Sequence, residues 1–313
     1  MTDQLNILVT GGAGYLGSIL VPALLGNGHR VTVLDSFMFG QNSLANVCAD
    51  PNFDLIRGDA RDMVLVADCA KQADVIIPLA ALVGAPLCER DQIGAMSLNQ
   101  DAVKNLVGVL GQDQRVIMPI TNSGYGVGEV GKYCTETSPL NPITLYGKTK
   151  VAAEAFVLSR ENGISLRLAT VFGMAPRMRL DLLVNDFTYR AFYDKAIVLF
   201  EAHFKRNYLH INDAIDGFLF AIENQNLKGD CYNLGYSEAN LSKLELCELI
   251  KKYVPKFVYH CSEIGEDPDK RNYIISNAKI ESKGFKAVRS VDIGVQELLK
   301  ALPFLKRKEF ANI

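Results

Sequence analysis

The chain has 313 residues, of which 49% are hydrophobic and 22% are charged, and its formal net charge is -2. These values are typical of a globular protein with a large core, and they exclude a disordered chain and a small disulfide-stabilised domain. Because the net charge is so small, nucleic acid is not an expected partner.

The cysteines and the hydropathy pattern indicate the compartment. The seven cysteines are scattered, and none forms a Cys-x-x-Cys pair. Such a set is typical of reduced thiols and predicts neither a disulfide framework nor a metal site. No apolar run approaches the ~18 residues that a membrane span requires. We therefore expect a cytoplasmic protein that does not associate with membranes.

The first 170 residues alternate short strand patterns with longer helical patterns. Apolar and β-branched runs predict strands at 6–10, 31–34, 53–57, 74–80, 115–120 and 164–169. Helices are predicted at 15–26, 63–71, 93–110 and 144–161. Continuous apolar runs are typical of strands buried on both faces of a parallel sheet. The sequence therefore predicts an α/β fold, a Rossmann-like doubly wound parallel sheet.

The alternation becomes irregular after residue 172. A strand is predicted at 196–200, a loop at HFKRN (203–207), and helices at 212–224 and 242–253. We expect residues 1–172 to form the sheet domain, with some later segments returning to it. Residues 173–313 should form mainly a smaller lobe, and a ligand site should lie between the two at the carboxyl ends of the strands.

A glycine-rich turn joins the first predicted strand to the first predicted helix. Glycines in this context permit a tight turn and a close approach of a pyrophosphate to the helix N-terminus. The alternative is an ordinary strand-turn-helix connection. The turn predicts a dinucleotide-binding domain over residues 1–172, with contacts from Gly11, Gly14, Tyr15, Leu16 and Gly17.

Asp35 ends the second predicted strand. A carboxylate at this position accepts hydrogen bonds from the adenosine ribose and repels a 2′-phosphate, so NAD is favoured over NADP as the cofactor. Asp59, in the Gly58-Asp59-Ala60 turn after the third strand, is expected either near the adenine amino group or as the cap of the following helix.

Tyr146 and Lys150 are four residues apart on a predicted helix, so their side chains share one face. A free tyrosine has a pKa near 10, and lowering it to about 7 requires ~4 kcal/mol of preferential stabilisation of the phenolate. A neighbouring ammonium and a positive nicotinamide ring can supply this energy. Taken alone, the spacing usually marks a surface pair, but behind a dinucleotide motif it predicts that Tyr146 is a catalytic base.

The order of the motifs resembles that of a known family. The segments TGGAGYLG, GDARD, PLAA, TNSGYG, LYGKTK, RLATVFG, RNYLHINDAIDGF and DPDKRNYIISNAKIE span nearly the whole chain. In this respect the sequence resembles the extended short-chain dehydrogenases/reductases of the NAD-dependent epimerase/dehydratase family, which act on the sugar of a nucleotide sugar. The resemblance implies that hydride leaves C4 of the sugar, that Tyr146 is the base, that Lys150 holds the nicotinamide ribose, and that Thr121 binds the sugar hydroxyl. It adds Asp59, Ala60, Leu79, Ala80, Ala81, Tyr146 and Lys150 to the cofactor contacts.

The same resemblance implies a set of substrate contacts: Val83, Ser123, Thr170, Arg179, Val184, Asn185, Arg206 and Arg271. Planar guanidinium groups suit a diphosphate because they bind two oxygens at once. Arg206 and Arg271 are expected at the diphosphate and ribose, and Val184-Asn185 along the base. Arg177 and Arg179 are expected either to do the same or to pair with carboxylates. Two helices that pair in the family, 144–161 and the one near 97–110, imply a homodimer.

Departures from the family pattern narrow the expected reaction. Asn122-Ser123 follow Thr121 where family 4,6-dehydratases carry Asp-Glu, so elimination of water is disfavoured. Thr170 stands where an asparagine is usual, which weakens an assignment to the common UDP-galactose epimerases.

Several long segments are similar to bacterial GDP-heptose 4-dehydrogenases of capsule synthesis: PLAALVGAPLCER, TNSGYGVGE, CTETSPL, RLATVFG and PRMRLDLLVNDFTYRA. These enzymes release a 4-keto sugar and reoxidise NADH with 2-oxoglutarate. The similarity predicts oxidation of a GDP-heptose at C4, and a GDP-sugar over a UDP-sugar, in capsule or lipopolysaccharide biosynthesis. A 4-epimerase without net redox change and a catalytically silent NAD-binding protein are the alternatives.

Overall fold

The computed structural model describes residues 4–265 and 271–305. Its strands are β1 (Asn6–Thr10), β2 (Arg30–Asp35), β3 (Phe53–Arg57), β4 (Val75–Pro78), β5 (Arg115–Thr121), β6 (Tyr133–Cys134), β7 (Gly163–Leu168), β8 (Thr170–Phe172), β9 (Ala196–Leu199), β10 (Lys205–His210), β11 (Asp230–Leu234), β12 (Asn240–Ser242), β13 (Val258–Cys261) and β14 (Ile274–Ile275). Its helices are α1 (Gly17–Gly26), α2 (Met63–Ala70), α3 (Ala85–Arg90), α4 (Gln92–Met96), α5 (Ala102–Val109), α6 (Leu145–Leu158), α7 (Leu183–Tyr193), α8 (Ile211–Glu223), α9 (Lys243–Tyr253), α10 (Ala278–Ser282) and α11 (Val291–Ala301).

The centre of the fold is a seven-stranded sheet in the order β11-β7-β5-β4-β1-β2-β3. Every pairing in it is parallel, with Ile7 opposite Val31 and Val75 on its two sides. The order reverses next to β1, which is where a doubly wound sheet opens a crevice for a ligand. The predicted fold class is confirmed. β11 comes from residues 230–234, so the sheet takes one strand from the later part of the chain.

The interior strands have apolar side chains on both faces because helices cover both. One face packs against α1 and α8 through residues such as Val9 and Phe218, and the other packs against α5 and α6 through residues such as Leu8 and Val157. The expectation of burial is wrong for the strand at 53–57. Among the strands that the structure describes, β3 pairs with β2 alone, at the sheet edge, and Leu55 is 43% exposed.

The predicted helix at 93–110 is divided in the structure. α4 and α5 are joined by a π-helical turn, Ser97–Asp101. A π-turn inserts one residue into the helical repeat and is frequently found at functional sites. Helix α3, which precedes this segment, was not predicted, and neither were α7, α10 and α11 in the later part of the chain.

The smaller lobe has its own core. A three-stranded sheet, β12-β10-β8, packs with α7, α9 and α11 around side chains such as Phe187, Tyr208 and Leu246. The predicted loop at HFKRN is confirmed for His203 and Phe204 but wrong for residues 205–207, which begin β10; this strand pairs with β12 and then with β8. The lobe is joined to the sheet domain by Tyr15, whose hydroxyl donates to the carbonyl of Gly173 at 2.7 Å. Within the described part of the chain, none of the helices is both long and apolar enough to cross a membrane.

Candidate active site

A cavity of about 490 Å³ lies at the carboxyl ends of the central strands, between the sheet domain and the smaller lobe. Its volume falls within the ~300–1,000 Å³ of ligand pockets. Most of the residues singled out in the sequence line this cavity: Gly11, Gly14, Tyr15, Leu16, Gly17, Asp35, Asp59, Ala60, Leu79, Ala80, Ala81, Val83, Thr121, Tyr146, Lys150, Thr170, Arg179 and Arg271.

The glycine turn has the shape that a dinucleotide diphosphate requires. Gly11 has a φ of +72°, and a Cβ on it would lie 2.5 Å from the backbone nitrogen of Ala80. A Cβ on Gly17 would lie 2.2 Å from the carbonyl oxygen of Gly12. Neither position tolerates a side chain, so the backbone and the N-terminus of α1 remain open to an anion. This cradle fits the diphosphate of NAD.

Asp35 lies at the adenosine end of the cavity. Its Oδ2 accepts a hydrogen bond from the Ala13 backbone at 2.9 Å, and its Oδ1 accepts one from Phe37 at 2.8 Å. These contacts fix the carboxylate, which retains lone pairs on both oxygens for ribose hydroxyls. The charge and position suit NAD and oppose a 2′-phosphate.

Asp59 also lines the cavity but is occupied by a neighbour. Its carboxylate pairs with the guanidinium of Arg61, 2.5 Å away, and this contact lowers the pKa of Asp59. The alternative expectation, that Asp59 caps the next helix, is wrong, because Asp62 accepts the backbone hydrogen bonds at the start of α2.

The three proposed catalytic residues lie on two elements. Thr121 ends β5, and Tyr146 and Lys150 lie on α6, whose first turn is fixed by a hydrogen bond from Gly147 to the Thr144 side chain. Burial raises the pKa of Tyr146 to about 12, against the opposing effect of Arg179 and Arg271. Burial lowers the pKa of Lys150 to about 8. The chain's own charges therefore do not lower the pKa of Tyr146 to about 7, because desolvation outweighs them. The positive nicotinamide ring, on which the prediction also depends, is the charge that bound NAD would add.

Ser123 positions Thr121 instead of lining the cavity. It is 1% exposed, and its hydroxyl accepts a hydrogen bond from the Thr121 hydroxyl at 2.8 Å. The Arg271 guanidinium also donates to this hydroxyl. Ser123 thus links the proposed threonine to an arginine that lines the cavity. Residues 267–270 of the DPDKRNY segment lie outside the described residues.

Three further predicted substrate contacts do not line the cavity. Val184 lies fully buried in the core of the smaller lobe. Asn185 is also buried, and its amide donates to the Arg179 carbonyl at 2.8 Å and accepts from the Gly173 backbone at 3.0 Å. Arg206 is 3% exposed within β10. Asn185 therefore supports a residue of the cavity wall, as Ser123 does.

Of the two alternatives for Arg179, pairing with a carboxylate is confirmed, and contact with a diphosphate stays a prediction. It lines the cavity, and its Nε and Nη2 donate to the two carboxylate oxygens of Asp181 at 2.7 and 2.5 Å. Both side chains are largely buried. The pair brings a fixed guanidinium close enough to Tyr146 to stabilise its phenolate.

Asn99 supports the wall of the cavity but was not identified from the sequence as a site residue. It lies in the π-helical turn, 1% exposed; its Oδ1 accepts from the Leu82 backbone at 2.8 Å, and its Nδ2 donates to the Leu82 carbonyl at 2.9 Å and to Thr149 at 3.4 Å. It thereby joins the cavity-lining loop after β4 to the helix that carries Tyr146. No signal in the sequence singles it out, because other polar residues lie in the same predicted helix: Ser97, Gln100, Asp101, Lys104 and Asn105.

A glycine cradle after β1 and a Tyr-x-x-x-Lys pair beside a strand-end threonine define a dinucleotide-dependent oxidoreductase of the short-chain type. The model of the NAD dependent epimerase/dehydratase family matches residues 7–235. The chain belongs to this family. Its NAD cofactor, and an enzyme of the extended short-chain dehydrogenase/reductase type, are confirmed.

Individual relatives are more distant. The chain is 27% identical over 312 residues to UDP-glucuronic acid decarboxylase 1 of Danio rerio, covering 95% of this chain and 72% of that protein. It is 29% identical over 310 residues to the low-salt glycan biosynthesis protein Agl12 of Haloferax volcanii, covering 93% and 96%. The crystal structure of UDP-glucuronic acid 4-epimerase from Bacillus cereus, in complex with UDP-glucuronic acid and NAD, is similar in fold, with a TM-score of 0.84 at 24% identity over 96% of this chain and 99% of that one.

Proposed function

We propose that the enzyme oxidises the 4-hydroxyl of a nucleotide-activated sugar with NAD. The observation that carries the proposal is the placement of Thr121, Tyr146 and Lys150 on the wall of the cavity that also contains the glycine cradle. A sugar between the three side chains and the nicotinamide end of the cradle would have a base and a hydride acceptor on its C4. Arg179 and Arg271 supply positive charge for its diphosphate.

Each side chain has a separate task in this step. Tyr146, as the phenolate, takes the proton of the 4-hydroxyl, and Thr121 donates a hydrogen bond to that oxygen when its hydroxyl hydrogen turns from Ser123 to the sugar. Bound NAD supplies the acceptor for the hydride that leaves C4. Lys150 holds the nicotinamide ribose and stabilises the phenolate. Asn122 and Ser123 cannot exchange protons as carboxylates do, which argues against a following elimination of water.

The fate of the ketone separates two candidate functions. Two of the similar proteins have names that refer to UDP-glucuronic acid, one to its decarboxylase and one to its 4-epimerase. Both names favour a UDP-sugar, and the second favours a 4-epimerase that returns the hydride to the opposite face of the ketone. They give no support to the preference for a GDP-sugar.

The second candidate is the finer prediction from the sequence, oxidation of a GDP-heptose with release of the 4-keto sugar. Its support is the similarity of long segments such as PLAALVGAPLCER and PRMRLDLLVNDFTYRA. In this case 2-oxoglutarate would reoxidise NADH, and the enzyme would serve capsule or lipopolysaccharide synthesis.

Mass spectrometry of the products distinguishes these candidates. Purified protein is incubated with UDP- and GDP-sugars, including UDP-glucuronic acid and GDP-heptose, with and without 2-oxoglutarate. A loss of about two mass units that grows with 2-oxoglutarate supports the dehydrogenase. An unchanged mass with altered chromatography supports the epimerase.

A tyrosine variant tests the step that both candidates share. Tyr146→Phe should lower turnover by about 10²–10⁴-fold and leave NAD binding intact. Tyr133→Phe, at a 58% exposed tyrosine that does not line the cavity, is the matched control and should retain full turnover. Undiminished turnover in Tyr146→Phe would contradict the proposal.

A further inference from the structure

Two segments that are far apart in the sequence face each other across the adenosine half of the cavity. The loop after β2 contributes Met38 and Phe39, and the segment between β8 and α7 contributes Arg177. The guanidinium carbon of Arg177 lies 4.7 Å from the centroid of the Phe39 ring. A cation at this distance from an aromatic face is attracted by the ring quadrupole.

The two partners are anchored differently. Arg177 is 5% exposed, and its backbone nitrogen donates to Ser18 at 3.4 Å in the first turn of α1. Phe39 is 42% exposed, near the tip of a loop. Arg177 is therefore fixed against α1 beside the glycine cradle, whereas Phe39 lies on an exposed loop.

Hydrogen bonds fix the base of the loop, and a side-chain contact joins its tip to Arg177. At the base, Asp35 accepts from the Phe37 backbone, and Phe37 has a φ of +54°, a conformation that side chains rarely adopt. At the tip, Phe39 contacts the Arg177 guanidinium while neighbouring Met38 remains 60% exposed. The Gly40 backbone donates to the Phe37 carbonyl at 2.9 Å, so residues 37–40 form one hydrogen-bonded turn, which the ring contact ties to Arg177.

We propose that Arg177 and Phe39 form a clasp that keeps the loop 36–41 over the adenosine half of NAD and slows release of the cofactor. The segments flank the pocket end that contains Asp35, where the ribose would lie, so NAD would have to pass the clasp to leave. Retention of the cofactor matters for an enzyme that transfers a hydride from the sugar to NAD and then returns it. If NADH left between the two transfers, the sugar would remain a ketone. The inference concerns the cofactor alone and stands whichever sugar the enzyme oxidises.

The test is the rate at which NADH leaves the protein. The full chain is loaded with NADH and mixed rapidly with excess NAD, and the decay of NADH fluorescence is followed without any sugar. Phe39→Leu keeps an apolar side chain on the exposed loop but removes the ring, and Arg177→Met removes the cation. Each should release NADH about three- to 25-fold faster than the wild type, the range expected for one cation–π contact.

Coupling between the two variants identifies the clasp. Because both remove the same contact, the double variant should release NADH no faster than the quicker single variant. Lys251→Met is the matched control, since Lys251 lies 5.4 Å from the Tyr259 ring in the smaller lobe and should leave the release rate unchanged.

Two results would overturn the proposal. An unchanged release rate in Phe39→Leu would show that the ring holds nothing in place. Multiplicative effects of the two variants would show that Arg177 acts on NAD independently of Phe39. Phe39→Leu changes an exposed side chain, so the test does not depend on whether the buried arginine variant folds.

Discussion

The ion pair of Arg179 and Asp181, in the cavity wall that contains Tyr146, should control the pH at which the enzyme works. Burial raises the pKa of Tyr146 to about 12, and the charge of Arg179 is the largest opposing influence. At that pKa, about one molecule in 10⁴ would hold the phenolate at pH 8, which corresponds to about 5 kcal/mol. Since the phenolate is the base, the rate of hydride transfer should rise with pH until the pKa of Tyr146 in the loaded enzyme is reached.

Arg179→Met and Asp181→Asn should move this rise in opposite directions. A unit charge acting over ~8–10 Å through an effective dielectric constant of ~20 contributes about 2 kcal/mol, or a little over one pKa unit. Removing the arginine destabilises the phenolate, so its pKa rises and the rate falls about tenfold at pH values below it. Removing Asp181, which lies 2.5 Å from Arg179, leaves the arginine charge unopposed and lowers the pKa of Tyr146.

The measurement is NADH formation in a single turnover at saturating sugar between about pH 6 and pH 10, where the rising limb gives the apparent pKa. Arg190→Met is the control, because Arg190 is paired with Asp186 on α7 and does not line the cavity. Shifts of the limb in the same direction for Arg179→Met and Asp181→Asn, or no shift in either, would refute the electrostatic reasoning.

Three further predictions follow from the fold. Gly17→Ala should weaken NAD binding more than tenfold in calorimetry, because its Cβ would lie 2.2 Å from the Gly12 carbonyl, whereas Gly26→Ala has nothing within 4 Å and should bind normally. Glu154→Gln should lower the free energy of unfolding in urea by about 3–5 kcal/mol, since it leaves the buried guanidinium of Arg167 without its carboxylate, 2.9 Å away; Glu154→Leu combined with Arg167→Met should recover most of that loss. Light scattering at micromolar concentration should give twice the 34.4 kDa of one chain, and a monomer mass would contradict the predicted homodimer.

The sheet domain could be predicted because its determinants are local. Each interior strand is a short apolar run, and the glycine turn follows the first of them directly. The smaller lobe was harder to predict because its strands depend on pairing between segments that are distant in the sequence. Lys205 and Arg206 are typical of a loop by composition, yet they form the start of β10, where pairing with β12 and packing of the lobe outweigh local preference.

Cavity-lining residues could be predicted where a short separation in the sequence fixes their relative positions. Tyr146 and Lys150 share a helix face by their separation of four, and Asp35 ends a strand next to the glycine turn. The expected roles of Ser123 and Asn185 as direct sugar contacts did not follow from spacing, because their orientation depends on partners elsewhere in the fold. Both lie just outside the cavity and hydrogen-bond to residues within it.

Asn99, Ser123 and Asn185 share one physical role. Each is a small polar side chain that is almost fully buried and hydrogen-bonds to a segment that lines the cavity. Burying such a group without a partner costs about 1–3 kcal/mol, so each hydrogen bond strongly favours one position of the segment it holds. The positions of the loop after β4, of Thr121 and of Arg179 are therefore set from outside the cavity. Since a catalytic group displaced by 1 Å can lose a hundredfold in rate, these hydrogen bonds determine whether the residues found from sequence spacing can act together.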